Sequence, residues 1–496
     1  MVDRTMSCSS TSSASNNMCR SESANVSTFR GKGVQFSYDP KVNGGTLTAS
    51  GEGYAESLSN SNVIGVTDHR SEDDAASHSR QILLIPNASE STQDSPGGER
   101  KFEAIRASNL PQAFIDANSI SSRITHSSQS RSTETPAHLL YVLVSTLSGT
   151  GGAQHYFDEV IKPAFAAIGV QECSYDVHKT SSDKDISHFA STVLLPRAND
   201  GTHQTVLLLS GDGGIVDIVN AVLSAERTSQ YVKPAIGLVA VGTGNAFANS
   251  TGLNKDSTRG LRHFFRGNPH PIPTFTATFS SRSELLVDEG KRTEPLSTLK
   301  EGTGPVYGAV VCSWALHASL VADSDTTELR KYGSQRFQIA AKELLMPADG
   351  STPHAYRGKI TLFRRDDAGQ ETQQILDSHE HMYILATMVS NLEEKLTISP
   401  HSKPLDGQIR LLHFSPTSSA DVMRIMGLAY QGGQHISDDA VGYDDIAGMR
   451  IDFDESESRW RRVCMDGKII QVGEGGWVEM RKNDLDVLDI IADLGS

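Results

Sequence analysis

Cysteine is scarce and poorly placed for structural chemistry. The five cysteines, Cys8, Cys19, Cys173, Cys312 and Cys464, are odd in number, scattered and nowhere at Cys-x-x-Cys spacing. This argues against a zinc site or a disulfide framework and predicts a reducing, cytoplasmic compartment. Long apolar runs are also missing. The longest, such as Ile236 to Val241, are strand-sized, well short of the ~20 residues that a spanning helix requires. Met1 to Arg30 is rich in Ser, Asn and Thr without an apolar segment, so no secretory signal is expected. Val2 follows Met1 and the chain ends Asp493-Leu494-Gly495-Ser496, matching neither myristoylation nor prenylation. Any membrane contact is therefore expected to be peripheral and reversible. Basic residues are outnumbered, 45 Lys and Arg against 60 Asp and Glu, for a net charge of −15. A nucleic-acid partner is not expected, and docking on anionic headgroups by charge alone is disfavoured. A lipid substrate stays open.

What the chain does have is length. Its 496 residues suit roughly two to four domains, with apolar cores large enough to need no staples. Residues 1–30 read as a disordered tail. Residues 31–120 read as a small β-rich extension, with strands near Val34 to Tyr38, Asn62 to Val66 and Gln81 to Ile85, and a further strand and helical turn in Phe102 to Ile120. The Ser/Thr-rich segment 121–135 reads as a linker.

Residues 136–254 carry an α/β pattern. His138 to Val144, Val206 to Leu209 and Ala235 to Val241 are short apolar runs, and each ends in a loop of glycines and hydroxyls. The loops are Ser145 to Gly152, Ser210 to Gly214 and Gly242 to Asn245. After the second, the spacing turns helical, with Ile215, Val216, Ile218, Val219, Val222 and Leu223 on one face. Strand, tight loop and helix together favour phosphate binding, because glycines admit backbone N–H groups close to the anion and the helix N-terminus adds a positive dipole end. Asp212 is the one carboxylate in that loop. In a parallel sheet all such loops emerge at the carboxyl edge, where ligands bind. Pro163 should kink or restart the helix that follows the first loop, and Asp185 to Ser191 reads as another helix.

Residues 255–496 change texture to short strands separated by polar loops, which predicts a β-rich domain. Expected strands are Thr274 to Phe279, Val306 to Cys312, Gly358 to Phe363, Met382 to Val389, Gln408 to Phe414, Met449 to Phe453, Trp460 to Met465 and Gly476 to Arg481. Ser280 to Gly304 reads as a mobile polar loop. Leu329 to Leu345 and Asp421 to Ala429 read as helices, and Asp484 to Leu494 as a short closing helix. His379-Glu380-His381 lacks a third ligand and reads as a polar stretch on the surface rather than a metal site; Trp314, Trp460 and Trp477 read as core.

These motifs resemble the diacylglycerol and sphingosine kinase superfamily, which shares its nucleotide fold with the NAD kinases. Ser210-Gly211-Asp212-Gly213 matches the family's GGDG or SGDG, Val219-Asn220 follows in the next helix, and Gly242-Thr243-Gly244-Asn245-Ala246 matches GTGNA. Ser148-Gly149-Thr150-Gly151 resembles the first phosphate loop, and the Val160-Ile161-Lys162-Pro163 helix after it is family-like. The resemblance spans roughly Pro136 to Met480. It implies an α/β nucleotide-binding domain followed by a β-rich lipid-binding sandwich, with ATP and Mg²⁺ as cofactors and a lipid hydroxyl as phosphoryl acceptor. The absence of an Asn-Glu dipeptide of the NAD-kinase kind favours lipid.

Phosphoryl transfer needs positioning and charge neutralisation more than covalent chemistry. The resemblance implies nucleotide phosphates at Ser148, Gly149, Thr150 and Gly151, at Ser210, Gly211, Gly213 and Gly214, and at Gly242, Thr243, Gly244 and Asn245. Thr180 and Asp217 fall to the nucleotide or its surroundings. Arg330 and Arg336 fall to the transferred phosphate, and Asp323, aligned with a short gap after Trp314, to the lipid head. Asp212 is the expected base, with Mg²⁺ organisation as its rival role, and Asp466 is a second base or metal candidate. Two departures stand out. Ser145-Thr146 replaces the family's Asn-Pro, and Lys468 replaces the glutamate of its Asp-Gly-Glu. Either Lys468 contacts phosphate or activity is reduced. The alternatives are a catalytically weak nucleotide- or lipid-binding homologue and a nicotinamide-nucleotide kinase.

Overall fold

The computed structural model describes residues 26–28, 34–51, 54–68, 79–86, 101–121, 138–296, 302–333, 335–366 and 368–494. Most of the expected tail and of the 121–135 linker lies outside these residues. Val26–Thr28, counted in the tail by composition, instead forms a strand beside residues 104–106.

The apolar run before the central glycine loop becomes the strand His203–Ser210, paired in parallel with His138–Val144 on one side and Ala235–Ala240 on the other. Because helices cover both faces, the strand is apolar without alternation. Val206 and Leu208 pack into one layer, and Leu207 and Leu209 into the other. Asp176–Lys179 closes one end of this six-stranded sheet.

At the other end of the sheet the structure corrects two expectations. Asp484 to Leu494 is not a helix. Asp489–Ala492 is a strand, inserted in parallel against Ala235–Ala240 and antiparallel to Asn268–Pro271. Leu488, Ile490, Ile491 and Ala492 are all buried, which is the demand of an interior strand rather than of one helix face. The chain thus returns to its α/β unit, so residues 268–271 and 489–492 belong to that sheet and not to the β-rich unit drawn over 255–496.

Pro163 acts as expected. Residues Phe157–Ile161 form a widened turn before Lys162–Ala167 continues as an α-helix. Proline cannot donate to the Glu159 carbonyl four residues earlier; the N–H of Phe102, from the N-terminal extension, takes that carbonyl instead at 3.2 Å. The helix read at Asp185 to Ser191 runs on through a second widened turn to Asn199.

The extension is β-rich, with one sheet of three strands, one of four, and the helix Gln112–Asn118. The C-terminal region is a sandwich. A seven-stranded and an eight-stranded sheet enclose Phe275, Phe279, Trp314, Ile360, Ile384, Leu411, Met449 and Met480. Ser280 to Gly304 is not simply a loop. Glu284–Val287 and Arg292–Pro295 form a hairpin that pairs with Lys468–Gln471, while residues 297–301 lie outside the described set. The helix expected over Leu329 to Leu345 is two pieces, Thr327–Arg330 and Gln335–Leu345. Among the described residues no helix is long and apolar enough to cross a membrane.

Candidate functional site

All three glycine loops emerge at the carboxyl edge of the parallel sheet and touch one another. The Ser148 hydroxyl donates to Ser145 Oγ at 2.7 Å and lies 3.2 Å from Ser210 Oγ, joining the first loop to the second. Gly149 has φ +57°, and a Cβ there would overlap the Val241 carbonyl oxygen at the start of the third loop. A Cβ on Gly242 would lie 2.5 Å from the Gly211 Cα, and one on Gly211 would lie 3.0 Å from the Gly242 Cα. Glycine is therefore required because these backbones meet. Gly214 packs on Ser210, whereas Gly213 faces open space. Thr150 and Thr243 are exposed at the rim, and Gly151, at φ +78°, closes the first loop by donating to the Ser148 carbonyl.

Thr180 braces the first loop. Its Oγ1 accepts from the Thr146 N–H at 3.1 Å and its carbonyl accepts from the Thr146 hydroxyl at 2.7 Å. Asn245 adopts a left-handed backbone conformation at φ 53° and donates from Nδ2 to the Gly242 carbonyl at 2.8 Å. Its buried Oδ1 has no hydrogen-bond partner. A polar cavity of about 460 Å³ opens behind this loop, with Ser61 and Asn62 of the N-terminal extension in its wall beside Gly242 and Asn245.

Asp212 opens the helix Asp212–Leu223, yet its carboxylate serves a different helix. Its oxygens accept from the N–H groups of Ala246 at 2.6 Å and Phe247 at 3.0 Å, the first turn of Ala246–Thr251. Burial pushes its pKa up to about 6 against the opposing pull of these donors. Asp466 sits with Gly467 in the tight turn joining Arg462–Met465 to Lys468–Gln471, with φ +50° and +89°. Such a turn favours Asp-Gly. The Asp466 carboxylate accepts from Ala309, Val310 and Val311 N–H at 2.7, 3.1 and 2.6 Å. Burial likewise pushes it up to about 6; its three donors oppose this, while the negative charge of Asp212 adds to the rise. The fold thus brings together two carboxylates from different domains, each held by backbone donors and each with lone pairs to spare.

The remaining predicted residues are engaged with partners that sequence reasoning did not supply. Lys468 Nζ lies 2.7 Å from Asp217 Oδ1; burial raises the Asp217 pKa and the ammonium opposes that rise. Arg330 grips Asp325 through Nε and Nη2 at 3.0 and 2.9 Å, and Arg336 Nη1 reaches the same carboxylate at 3.0 Å. Both Asp323 oxygens are taken, by Arg459 at 2.9 Å and Arg462 at 2.8 Å. Nothing in the spacing of residues 323, 459 and 462 could have signalled that pairing.

No group of three or more His, Cys, Asp or Glu able to hold a metal is found among the described residues. His379 and His381 diverge, but His381 is not a surface residue: it is buried, faces the Gly358 carbonyl, and has its pKa pushed down to about 4 by that burial. Trp314 is core; Trp460 stacks on His354, and Trp477 sits under Arg450.

Residues 139–277 match the family model described as the diacylglycerol kinase catalytic domain. Sphingosine kinase 1 of Arabidopsis thaliana is 24% identical over 255 residues, covering 47% of this chain and 45% of that protein. Sphingosine kinase 2 of the same plant is 25% identical over 243 residues, covering 45% and 44%. The chain thus spans somewhat less than half the length of these relatives. Among solved structures, a putative diacylglycerol kinase from Bacillus anthracis aligns over 72% of this chain and 97% of its own, at 14% identity and a TM-score of 0.46.

Proposed function

We propose that this chain, a member of the diacylglycerol and sphingosine kinase superfamily by its catalytic domain, transfers the γ-phosphoryl group of ATP to a hydroxyl of a sphingoid-base or diacylglycerol-type lipid. The observation that carries this reading is the meeting of three phosphate-type loops beside Asp212 and Asp466. ATP phosphates lie against the backbone N–H groups of the loops, and the lipid approaches from the β-rich domain. Asp212 accepts the proton of the attacking hydroxyl on a lone pair that Ala246 and Phe247 leave free. A carboxylate raised to about 6 is a stronger base than an ordinary one and is still ionised near neutral pH.

Magnesium fits the donor set. Asp466 would hold it while Asp212 serves as the base, Asp212 being the alternative ligand, since this hard cation needs one or two carboxylates and takes its other ligands from phosphate and water. When bound it supplies neutralisation of the charge on the transferred group.

A second reading, a catalytically weak nucleotide- or lipid-binding homologue, draws on the neutralisation of Arg330 and Arg336 by Asp325. Incubation with labelled ATP, Mg²⁺ and a panel of sphingoid base, ceramide, diacylglycerol and monoacylglycerol separates the two. One labelled lipid supports the kinase. Saturable nucleotide binding with no labelled lipid supports the weak homologue, and NADP formation with added NAD would point to a nicotinamide-nucleotide kinase.

A further inference from the structure

The two candidate carboxylates belong to different domains, so their separation depends on how those domains are tied. Asp212 begins the helix Asp212–Leu223, and the same helix carries Asp217 and Asn220. Residues three apart on a helix share a face, and this face meets the β-rich domain. Asp217 receives Lys468 Nζ at 2.7 Å. The Asn220 side chain behaves like a peptide unit, donating from Nδ2 to the Tyr307 carbonyl at 2.7 Å and accepting the Tyr307 N–H at Oδ1 at 2.9 Å.

The far ends of these ties bracket Asp466. Lys468 lies two residues after it, where the turn closes and Met465 pairs with Lys468. Tyr307 lies two residues before Ala309, the first of the three N–H donors that cradle the Asp466 carboxylate. One helix therefore fixes Asp212 at its start and grips both sides of the Asp466 cradle further along. The Asp217 side chain is 16% exposed and Lys468 40%, which shields this pair more than the cross-domain pair Lys184–Glu294, at 71% and 36%.

We propose that Asp217, Asn220 and Lys468 are positioning residues that set the separation of Asp212 and Asp466 across the domain junction, rather than ligands of the nucleotide. The proposal rests on the kinase reading of this site. Lysine in place of glutamate then makes sense beside an acidic Asp217: the ammonium turns what would be two repelling carboxylates into a clasp.

The test is a charge swap in the full chain, with steady-state kinetics in ATP and the active lipid. Asp217→Lys and Lys468→Asp alone should each lower kcat about ten- to a hundredfold, the order expected for a misplacement near 1 Å, with KM for ATP changed by no more than about twofold. The double variant Asp217→Lys/Lys468→Asp should recover most of the loss. A tenfold or greater rise in KM for ATP at unchanged kcat would overturn the proposal, as would a double variant no better than the singles. Thermal unfolding of all four proteins supplies a reading independent of catalysis. The swap should restore the midpoint that each single variant lowers, and strictly additive shifts would remove the clasp. A wild type that labels no lipid would overturn the kinase reading alone, and the unfolding cycle would still decide whether the clasp exists.

Discussion

Asp212 and Asp466 show how little of a residue's role is written in its identity. An aspartate after Ser-Gly at the head of a helix reads as a cap of that helix, but here it caps the neighbouring helix at Ala246 and Phe247. The glycine loop was legible from sequence, whereas the raised pKa of its aspartate was not, because it comes from burial in the folded protein, and the neighbouring Asp466 lies some 250 residues further along the chain. Asp212 serves as a base only when ionised. With both pKa values near 6, kcat/KM should rise as pH increases through about 6 and level off above it, and the pair should titrate together rather than as two independent groups. A pH–rate profile from 5 to 8 checks this, and a flat profile would remove Asp212 from the role of base. Stability runs the other way. Both carboxylates bind protons more tightly folded than unfolded, so between about 4 and 6 their contribution to folding falls as pH rises.

The first two strand–loop–helix units were legible because the hydrophobic pattern changes from a continuous run to helical spacing across a few glycines; at the third, the strand and loop were legible but the short helix Ala246–Thr251 was not. The closing strand Asp489–Ala492 was not. Leu485, Leu488 and Ile491 recur at helical spacing, and a strand covered on both faces carries no alternation to oppose that reading. Leu485 is in fact exposed. The Glu284–Val287 and Arg292–Pro295 hairpin was missed for a related reason: its strands are only four residues long, Leu285 to Val287 sit among polar residues, the first strand is only partly buried and the second is mostly exposed. The loops themselves give a sharp prediction. Gly149→Ala places a methyl into the Val241 carbonyl at a positive φ, so it should destabilise the fold by roughly 1–3 kcal/mol and weaken ATP binding. Gly213→Ala, with open space around it, should leave stability nearly unchanged. Thermal unfolding and nucleotide titration of the two variants check the contrast.

For the whole molecule, the division into an α/β half and a β-rich half was visible in the texture of the sequence, but the threading between them was not. The chain leaves the parallel sheet after Asn268–Pro271, builds the sandwich, and returns at Asp489–Ala492. Deleting residues 484–494 should therefore unfold the α/β domain rather than trim a surface helix, since Ala235–Ala240 would lose its neighbour and Ile490 and Ile491 their buried places. Soluble yield and the cooperativity of thermal unfolding report that outcome. The N-terminal extension joins the same body through Phe102 and Glu159 and through the cavity wall at Ser61 and Asn62, contacts that composition alone could not place.

The central claim is that Asp212, at the meeting of the three loops, accepts the proton as phosphate passes to a lipid. The most direct measurement is transfer of label from γ-labelled ATP to lipid by wild type and Asp212→Asn, with nucleotide affinity and thermal unfolding measured on both. The amide introduced by Asp212→Asn would keep an oxygen for one of the Ala246 and Phe247 N–H groups and turn its NH2 toward the other, so the unfolding midpoint should fall modestly with ATP binding retained, while transfer falls by about a hundredfold or more. Full transfer by a folded Asp212→Asn variant would contradict the account.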